Sequence, residues 1–176
     1  MKTGTKSVLY GAHAFWLHPF FVAAAWWVLY GFPWDPRLWF AFFLHDVGYI
    51  GCEKMDDENG EKHPEVGAKI MHFLFDWGSD YWRNFTLLHS RHYAKTLGMK
   101  YSKLCVADKF AFCLTPAWLY IPMVTASGEI KEYLEEAANI SEGAILAADP
   151  ETAMILRGLQ LAGFLKYKWD WNRYLY

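Results

Sequence analysis

A histidine and an aspartate stand side by side at His45-Asp46, where the apolar run Trp39-Phe40-Ala41-Phe42-Phe43-Leu44 gives way to Val47-Gly48. An ionised carboxylate buried beside a neutral imidazole is costly unless a cation or a hydrogen-bond network compensates it. A metal ion does that well. Adjacent residues on a helix point about 100° apart, so the pair meets one ion only if the ion lies beside that turn and both side chains lean toward it. More candidate ligands lie along the chain: His18 upstream, and His63, His89 and Asp108 downstream. Imidazole plus carboxylate suits Mn, Fe, Ni, Co or Zn better than Ca.

Each candidate has a plainer alternative. Without a metal, His45-Asp46 is a buried hydrogen-bonded pair. His63 can be a loop histidine, His92 can replace His89, and His72 between Met71 and Phe73 reads as structural. His13 and His18 lie five positions apart, about 140° around a helix, so one helix does not aim both at one ion. His18 is the expected ligand because it opens the helix whose apolar face leads toward His45, and His13 stays open as its replacement.

The elements that must position these side chains read as helices throughout. One runs over 18–30, with Pro19 in its first turn and Gly31-Phe-Pro33 ending it. Asp35-Pro36 is an N-cap followed by proline, opening a helix over 37–46 that Gly48 and Gly51 break. The charged stretch 53–62 is a solvated loop. Helices follow over 64–75, with Val66, Ile70, Phe73 and Leu74 as the apolar face, then 80–91, then 103–114, with Leu104, Ala107, Ala111 and Leu114 at helical spacing. Further helices are expected over 117–125, 129–138 and 151–167, with Glu132, Glu135 and Glu136 on a solvated face. No stretch alternates with period two long enough for a sheet. The expected architecture is a single all-α domain over 1–176, its motif-bearing core at 13–115 and the helices of 116–176 packed on it.

Composition narrows the classes. A chain of 176 residues has room for one real core. A net charge of −2 gives no global basic field for a nucleic-acid polymer. Cys52, Cys105 and Cys113 are odd in number, widely spaced and without a C-x-x-C, which fits buried thiols in a reducing cytoplasm. The aromatic share is 19% with 10 Trp, pointing to an aromatic core, an oligomer interface or a membrane-facing surface. Trp16, Trp26, Trp27, Trp34 and Trp39 are expected in the core or at a subunit interface, and a homo-oligomer is the expected state. Residues 7–34 carry no Asp, Glu, Lys or Arg. The stretch is interrupted by histidine, glycine and proline, and its unbroken apolar part, 19–30, is too short to span a bilayer. No small-residue cleavage site follows it, so a signal peptide is not expected.

The ordered set His18…His45-Asp46…His63…His89…Asp108 resembles the HD-domain metallohydrolase superfamily. The resemblance covers roughly 13–115 and extends to context: Phe42-Phe-Leu-His-Asp-Val-Gly48, His63-Pro-Glu-Val-Gly67-Ala-Lys-Ile70, Leu88-His89-Ser-Arg-His92 and Val106-Ala-Asp-Lys109. It implies a compact HD-type helical bundle in which His18, His45, Asp46 and Asp108 bind one metal. Asp46 would bridge to a second metal held by His63 and His89. The middle section is most similar to the HD-GYP branch, which usually has Lys where this chain has Tyr49 and a glycine-rich stretch that is missing here. The cyclic-dinucleotide substrate of that branch is therefore not carried over.

Two cations about 3.5–4 Å apart activate water and polarise a phosphoryl oxygen. The resemblance thus implies a phosphohydrolase for a nucleotide or small phosphorylated metabolite. Asp46, His92 and Lys109 are the expected catalytic residues, and Arg91, Lys95 and Tyr49 the expected substrate contacts. His92 would protonate the leaving oxygen. Two alternatives compete. One is a mixed-valent di-iron oxygenase, since some HD-type proteins with this ligand order use O₂. The other is a non-catalytic metal-bearing binding protein, with membrane contact through its apolar N-terminal segment.

Overall fold

The computed structural model describes residues 1–55 and 57–132. These form α1 (Thr3–Tyr10), α2 (His18–Tyr30), α3 (Pro36–Leu44), α4 (Pro64–Phe75), α5 (Tyr81–Leu87), α6 (Arg91–Thr96), α7 (Lys103–Leu114) and α8 (Ala117–Ser127). Short 3₁₀ turns occur at Val47–Tyr49 and Gly60–Lys62. Among the described residues there is no strand, so the fold is all-α.

Local chemistry sets the helix starts. Pro19, Pro36 and Pro64 sit in the first turns of α2, α3 and α4, where the missing N–H costs no helical bond. The Asp35 side chain accepts from the Arg37 amide and caps α3. Ser90 and Ser102 cap α6 and α7 in the same way, accepting from the His92 and Cys105 amides. Gly31, with φ of 88°, closes α2 in a conformation that side chains rarely adopt.

α2 lies along α7, α4 packs on α5, and α3 touches both α2 and α4. Ala23, Ala25, Ala107 and Ala111 keep the helices close, while Trp26, Phe42, Met71, Trp82, Phe85 and Leu104 fill the space between them. Trp26 is central, with Phe42 and Phe85 each 5.8 Å away between ring centroids. α1 folds back on α8 and on the turn after α3.

Two glycines decide how α4 meets the end of α3. A methyl group on Gly67 would lie 2.2 Å from the Leu44 carbonyl oxygen, and one on Gly48 would lie 2.0 Å from the His63 carbonyl oxygen. Backbone is thus pressed on backbone at both points, and His63 is held against the turn that carries His45 and Asp46.

Several expectations are corrected here. The buried face of α4 is Pro64, Gly67, Ala68 and Met71; Phe73 is 80% exposed, and Val66 and Leu74 also face outward. The close backbone contact at Gly67 leaves no room for a large side chain on that face. The helix expected over 37–46 stops at Leu44, and the one expected over 80–91 is two helices, broken at 88–90 before the Ser90 cap. α1 was not expected, because Gly4 and Gly11 obscure its periodicity; both sit against neighbouring groups, Gly4 on the Tyr49 carbonyl. Glu132 is not merely solvated, since it accepts from the Met55 amide. The tryptophans divide: Trp26 is buried and Trp39 partly so, whereas Trp16, Trp27 and Trp34 are exposed. The helices expected over 129–138 and 151–167, with Glu135 and Glu136, lie largely or wholly outside the described residues.

Among the described residues no single helix is long and apolar enough to cross a membrane. α7 and the stretch Trp118–Ser127 have the composition jointly, but they bend by 108° at their junction.

Replacing Gly67 by Ala should destabilise the fold by about 1–3 kcal/mol, the usual cost of forcing atoms into a filled contact. Urea unfolding measures it, and wild-type stability in Gly67→Ala would refute the close approach of α4 to Leu44.

Candidate metal centre

His45 and Asp46 converge because α3 ends before them. Leu44 is the last helical residue, His45 keeps right-handed helical angles, and Asp46 turns away at φ −105°, ψ 1°. The separation of about 100° that a continuous helix would impose is removed by this turn. His18 comes from the start of α2, His63 from the residue before α4, His89 from the bend between α5 and α6, and Asp108 from the middle of α7.

Three of these imidazoles are oriented by one device. The Nδ1 atoms of His45, His63 and His89 lie 2.9, 2.6 and 2.6 Å from the carbonyl oxygens of Phe42, Gly60 and Thr86, each three residues back. A carbonyl only accepts, so each Nδ1 carries the hydrogen. In a neutral ring of this tautomer Nε2 is bare, the form in which imidazole binds a metal.

Those atoms meet in two buried groups. Ligand atoms of His18, His45, Asp46 and Asp108 lie within 4.8 Å of one another, as do those of Asp46, His63 and His89. Asp46 belongs to both. Its Oδ2 lies 3.0 Å from His45 Nε2 and 3.5 Å from His18 Nε2. Its Oδ1 lies 3.4 Å from His89 Nε2 and 3.6 Å from His63 Nε2. Asp108 Oδ1 is 3.0 Å from His18 Nε2 and 3.7 Å from His45 Nε2.

The donor set fits a cation in each group. His63 Nε2 and His89 Nε2 face each other at 3.1 Å, and with both Nδ1 atoms protonated neither neutral ring has a hydrogen to place between them. A cation resolves that opposition. His45 Nε2 and Asp46 Oδ2 are buried 3.0 Å apart, and neither is satisfied by a well-formed hydrogen bond. Orphaned polar atoms of this kind need a compensating group.

The charges agree. Burial alone would push the His45 imidazole down, but Asp46 and Asp108 overcome it and raise it to about 10. Burial would raise both carboxyls; His45 and its neighbours hold Asp46, and Lys109 with His18 and His45 hold Asp108, well below the usual range. Burial keeps His18 low, and burial with the facing His89 keeps His63 well below its ordinary value. The pocket therefore draws positive charge to its carboxylates while resisting protons on two of its imidazoles.

A cavity of about 420 Å³ opens onto both groups through Asp46, His63, His89 and Asp108. Arg91, His92 and Lys95, all on α6, line it with Lys109, Tyr49 and Tyr101. The structure thus gathers every residue expected at the site. Tyr49 stacks on His63 at 3.8 Å between centroids and 14° between planes. Lys109 Nζ lies 3.1 Å from Asp108 Oδ2, and although burial opposes it, Asp108 raises the ammonium further above its ordinary value. His92 is partly exposed at the rim, 3.9 Å from Glu61.

His13 is not in either ligand group. It lines the cavity, and its Nδ1 lies 2.8 Å from Ser7 Oγ and 3.3 Å from Glu129 Oε1. Burial lowers its basicity, but Asp46, Glu129 and Asp108 outweigh it and raise the net value. Cations seated on Asp46 and Asp108 would cancel two of those pulls. Ser7 and Glu129 carried no signal in the sequence, since 122 positions separate them. His72 lies on the surface beside Asp76 and Asp80, outside both ligand groups.

Two outcomes are expected. Metal analysis should find two equivalents of transition metal, as the two groups require, with His63→Ala keeping one and Asp46→Ala neither. Two equivalents retained in Asp46→Ala would rule out the shared carboxylate. The metal-free protein should also be most stable near pH 6.5. Above it, the raised His45 proton is lost progressively up to about 10; below it, the unfolded chain protonates His18 and His63 while the folded chain resists. Thermal melting across pH reads this, and metal loading should abolish the alkaline decline because the cation replaces the His45 proton. No family model, curated protein or solved structure matches this chain, so the candidate metal centre stands on the chain's own geometry.

Proposed function

We propose that this protein is a metal-dependent phosphohydrolase acting on a nucleotide or another small phosphorylated metabolite. The observation that carries the proposal is the single cavity that joins both His/Asp groups to a wall of cations, Arg91, Lys95 and Lys109. About 420 Å³ suits a small ligand rather than a polymer. The resemblance of the ordered ligands to the HD-domain superfamily points the same way.

Divalent transition ions such as Mn, Fe, Ni, Co or Zn, when bound, supply Lewis acidity and an activated nucleophile. The chain's own residues supply the rest. Asp46 spans the two groups and fixes their spacing. Arg91 presents a planar fork of N–H donors suited to phosphate oxygens, and Lys95, four residues on along α6, adds a second charge. Lys109 neutralises Asp108 on one side and faces the cavity on the other, where charge builds on phosphorus oxygens. Tyr49 keeps the His63 ring in plane and offers its own face to the substrate. As water adds to phosphorus and the P–O bond to the leaving group breaks, the leaving oxygen takes a proton from His92. Cys52 and Cys105 are buried thiols, in keeping with a reducing cytoplasm.

A panel of phosphomonoesters, phosphodiesters and nucleotides, assayed with Mn under argon, tests the proposal. Release of phosphate or a monophosphate is expected. Arg91→Ala and Lys95→Ala should each raise KM about tenfold or more, as loss of a charge-assisted contact does. Iron-dependent consumption of O₂ without phosphate release would favour an oxygenase, and inertness toward the whole panel would remove the hydrolase.

A further inference from the structure

Residues 7–44 build a surface that the proposed reaction does not use. They include one Asp, one Arg and no Glu or Lys. Those two ions, Asp35 and Arg37, hold each other. Arg37 Nη2 donates to Asp35 Oδ2 at 2.7 Å and Nε donates to Oδ1 at 2.9 Å, a bidentate pair that cancels its own charge.

Within this segment α2 has two faces. Val22, Ala25 and Trp26 are buried against the core. Phe20, Ala24, Trp27 and Val28 recur at i, i+4, i+7 and i+8, which is one stripe of a helix. Phe20 is exposed, Trp27 is 61% exposed and Val28 68%. His18 lies two positions before Phe20, about 160° around the helix, so the stripe is on the opposite side of α2 from the metal groups. Ring contacts extend it at both ends. Phe43 lies 5.6 Å from Phe20 and 5.3 Å from the exposed Phe15. At the other end Phe32 lies 5.5 Å from Trp27 and 4.4 Å from Trp34.

We propose that this aromatic face is an isologous interface on which a second copy of the chain packs, α2 against α2. Area is the first argument. At roughly 200 Å² for each aromatic side chain, the exposed fractions of the rings and Val28 leave about 700 Å² bare. A standard interface takes about 800 Å² from each partner, and two such faces together exceed the roughly 1,000 Å² that a specific contact needs. Charge is the second argument. In an isologous contact each patch meets its own image, so a net charge on the patch would repel itself. Here the segment's one Asp and one Arg cancel in place. Phenylalanine and tryptophan without Lys or Glu is also the composition of an interface centre. A lipid surface would draw on basic residues beside the apolar ones, and Arg37, the segment's one Arg, is committed to Asp35. The proposal does not rest on the phosphohydrolase reading, because none of these residues lines the cavity of about 420 Å³.

Sedimentation equilibrium of the full chain over about 1–100 μM, the weak end of affinity for interfaces of this size, tests the proposal. The wild type should be a dimer. Val28→Glu sets a charge against its own image and should give a monomer. Trp34→Ala should raise the dimer dissociation constant about tenfold or more, as truncation of an aromatic anchor does. Leu97→Glu, the same charge placed next to α6 on a half-exposed residue outside the face, should remain a dimer. Circular dichroism of each variant should show unchanged helix content. If Val28→Glu does not fold, Trp34→Ala decides, since Trp34 lies in the linker after α2 at 84% exposure and supports no core contact. A dimer indifferent to both substitutions, or one that Leu97→Glu dissociates as readily, overturns the proposal. A wild-type monomer also overturns it. Flotation with phosphatidylcholine–phosphatidylserine vesicles then says what takes the face instead: a monomer that floats assigns it to lipid, and one that does not assigns its cover to the chain's own residues.

Discussion

The buried carboxylate of Asp46 is the constraint on which the rest of the structure depends. It turns one oxygen to His18 and His45 and the other to His63 and His89. Each side must compensate half of a charge that water cannot reach, at a cost that bare burial would make prohibitive. The surrounding architecture serves that requirement. α3 stops at Leu44 so that His45 and Asp46 share a turn, and the glycines at 48 and 67 let the His63 segment close on them. α7 delivers Asp108 from the helix that packs most extensively against α2, which delivers His18. Two of the six candidate ligands and part of the core are thus built from the same helix pair.

Much of this was legible in the sequence, for identifiable reasons. The helices over 18–30, 64–75 and 103–114 coincide with α2, α4 and α7 because proline at the start or a break at the end marks each one. The clustering of the candidate ligands was legible because histidine and aspartate inside apolar runs need a partner, and here the partners recur in one order. The buried side of α4 was not legible, since hydrophobicity ranks Phe73 above Gly67, whereas a backbone contact buries the residue with no side chain. The break at 88–90 was also hidden: His89 reads as a helix end only once Ser90 is seen to cap the next helix. The placement of His13 was beyond reach because it packs against a serine and a glutamate from opposite ends of the described chain.

The aromatic content serves two ends that composition alone cannot separate. Trp26 with Phe42, Trp82 and Phe85 forms the centre of the core. Trp27, Phe32 and Trp34 form an outer ladder, with centroids 5.5 and 4.4 Å apart along it, and Trp34 is 84% exposed. The outer ladder sits at the C-terminal end of α2 and the linker after it, away from the His18 end that contributes to the candidate metal centre.

The carbonyl three residues behind each of His45, His63 and His89 has a kinetic meaning. A contact spanning so few residues forms together with its own turn, on the microsecond scale of local structure, well before distant segments are assembled. Aiming each imidazole therefore waits on no distant segment, and the longer-range step is bringing the turns to one another. An ion captured by the first turns to meet would act as a template for the others, so metal availability during synthesis would influence how fast the chain matures as well as what it finally contains.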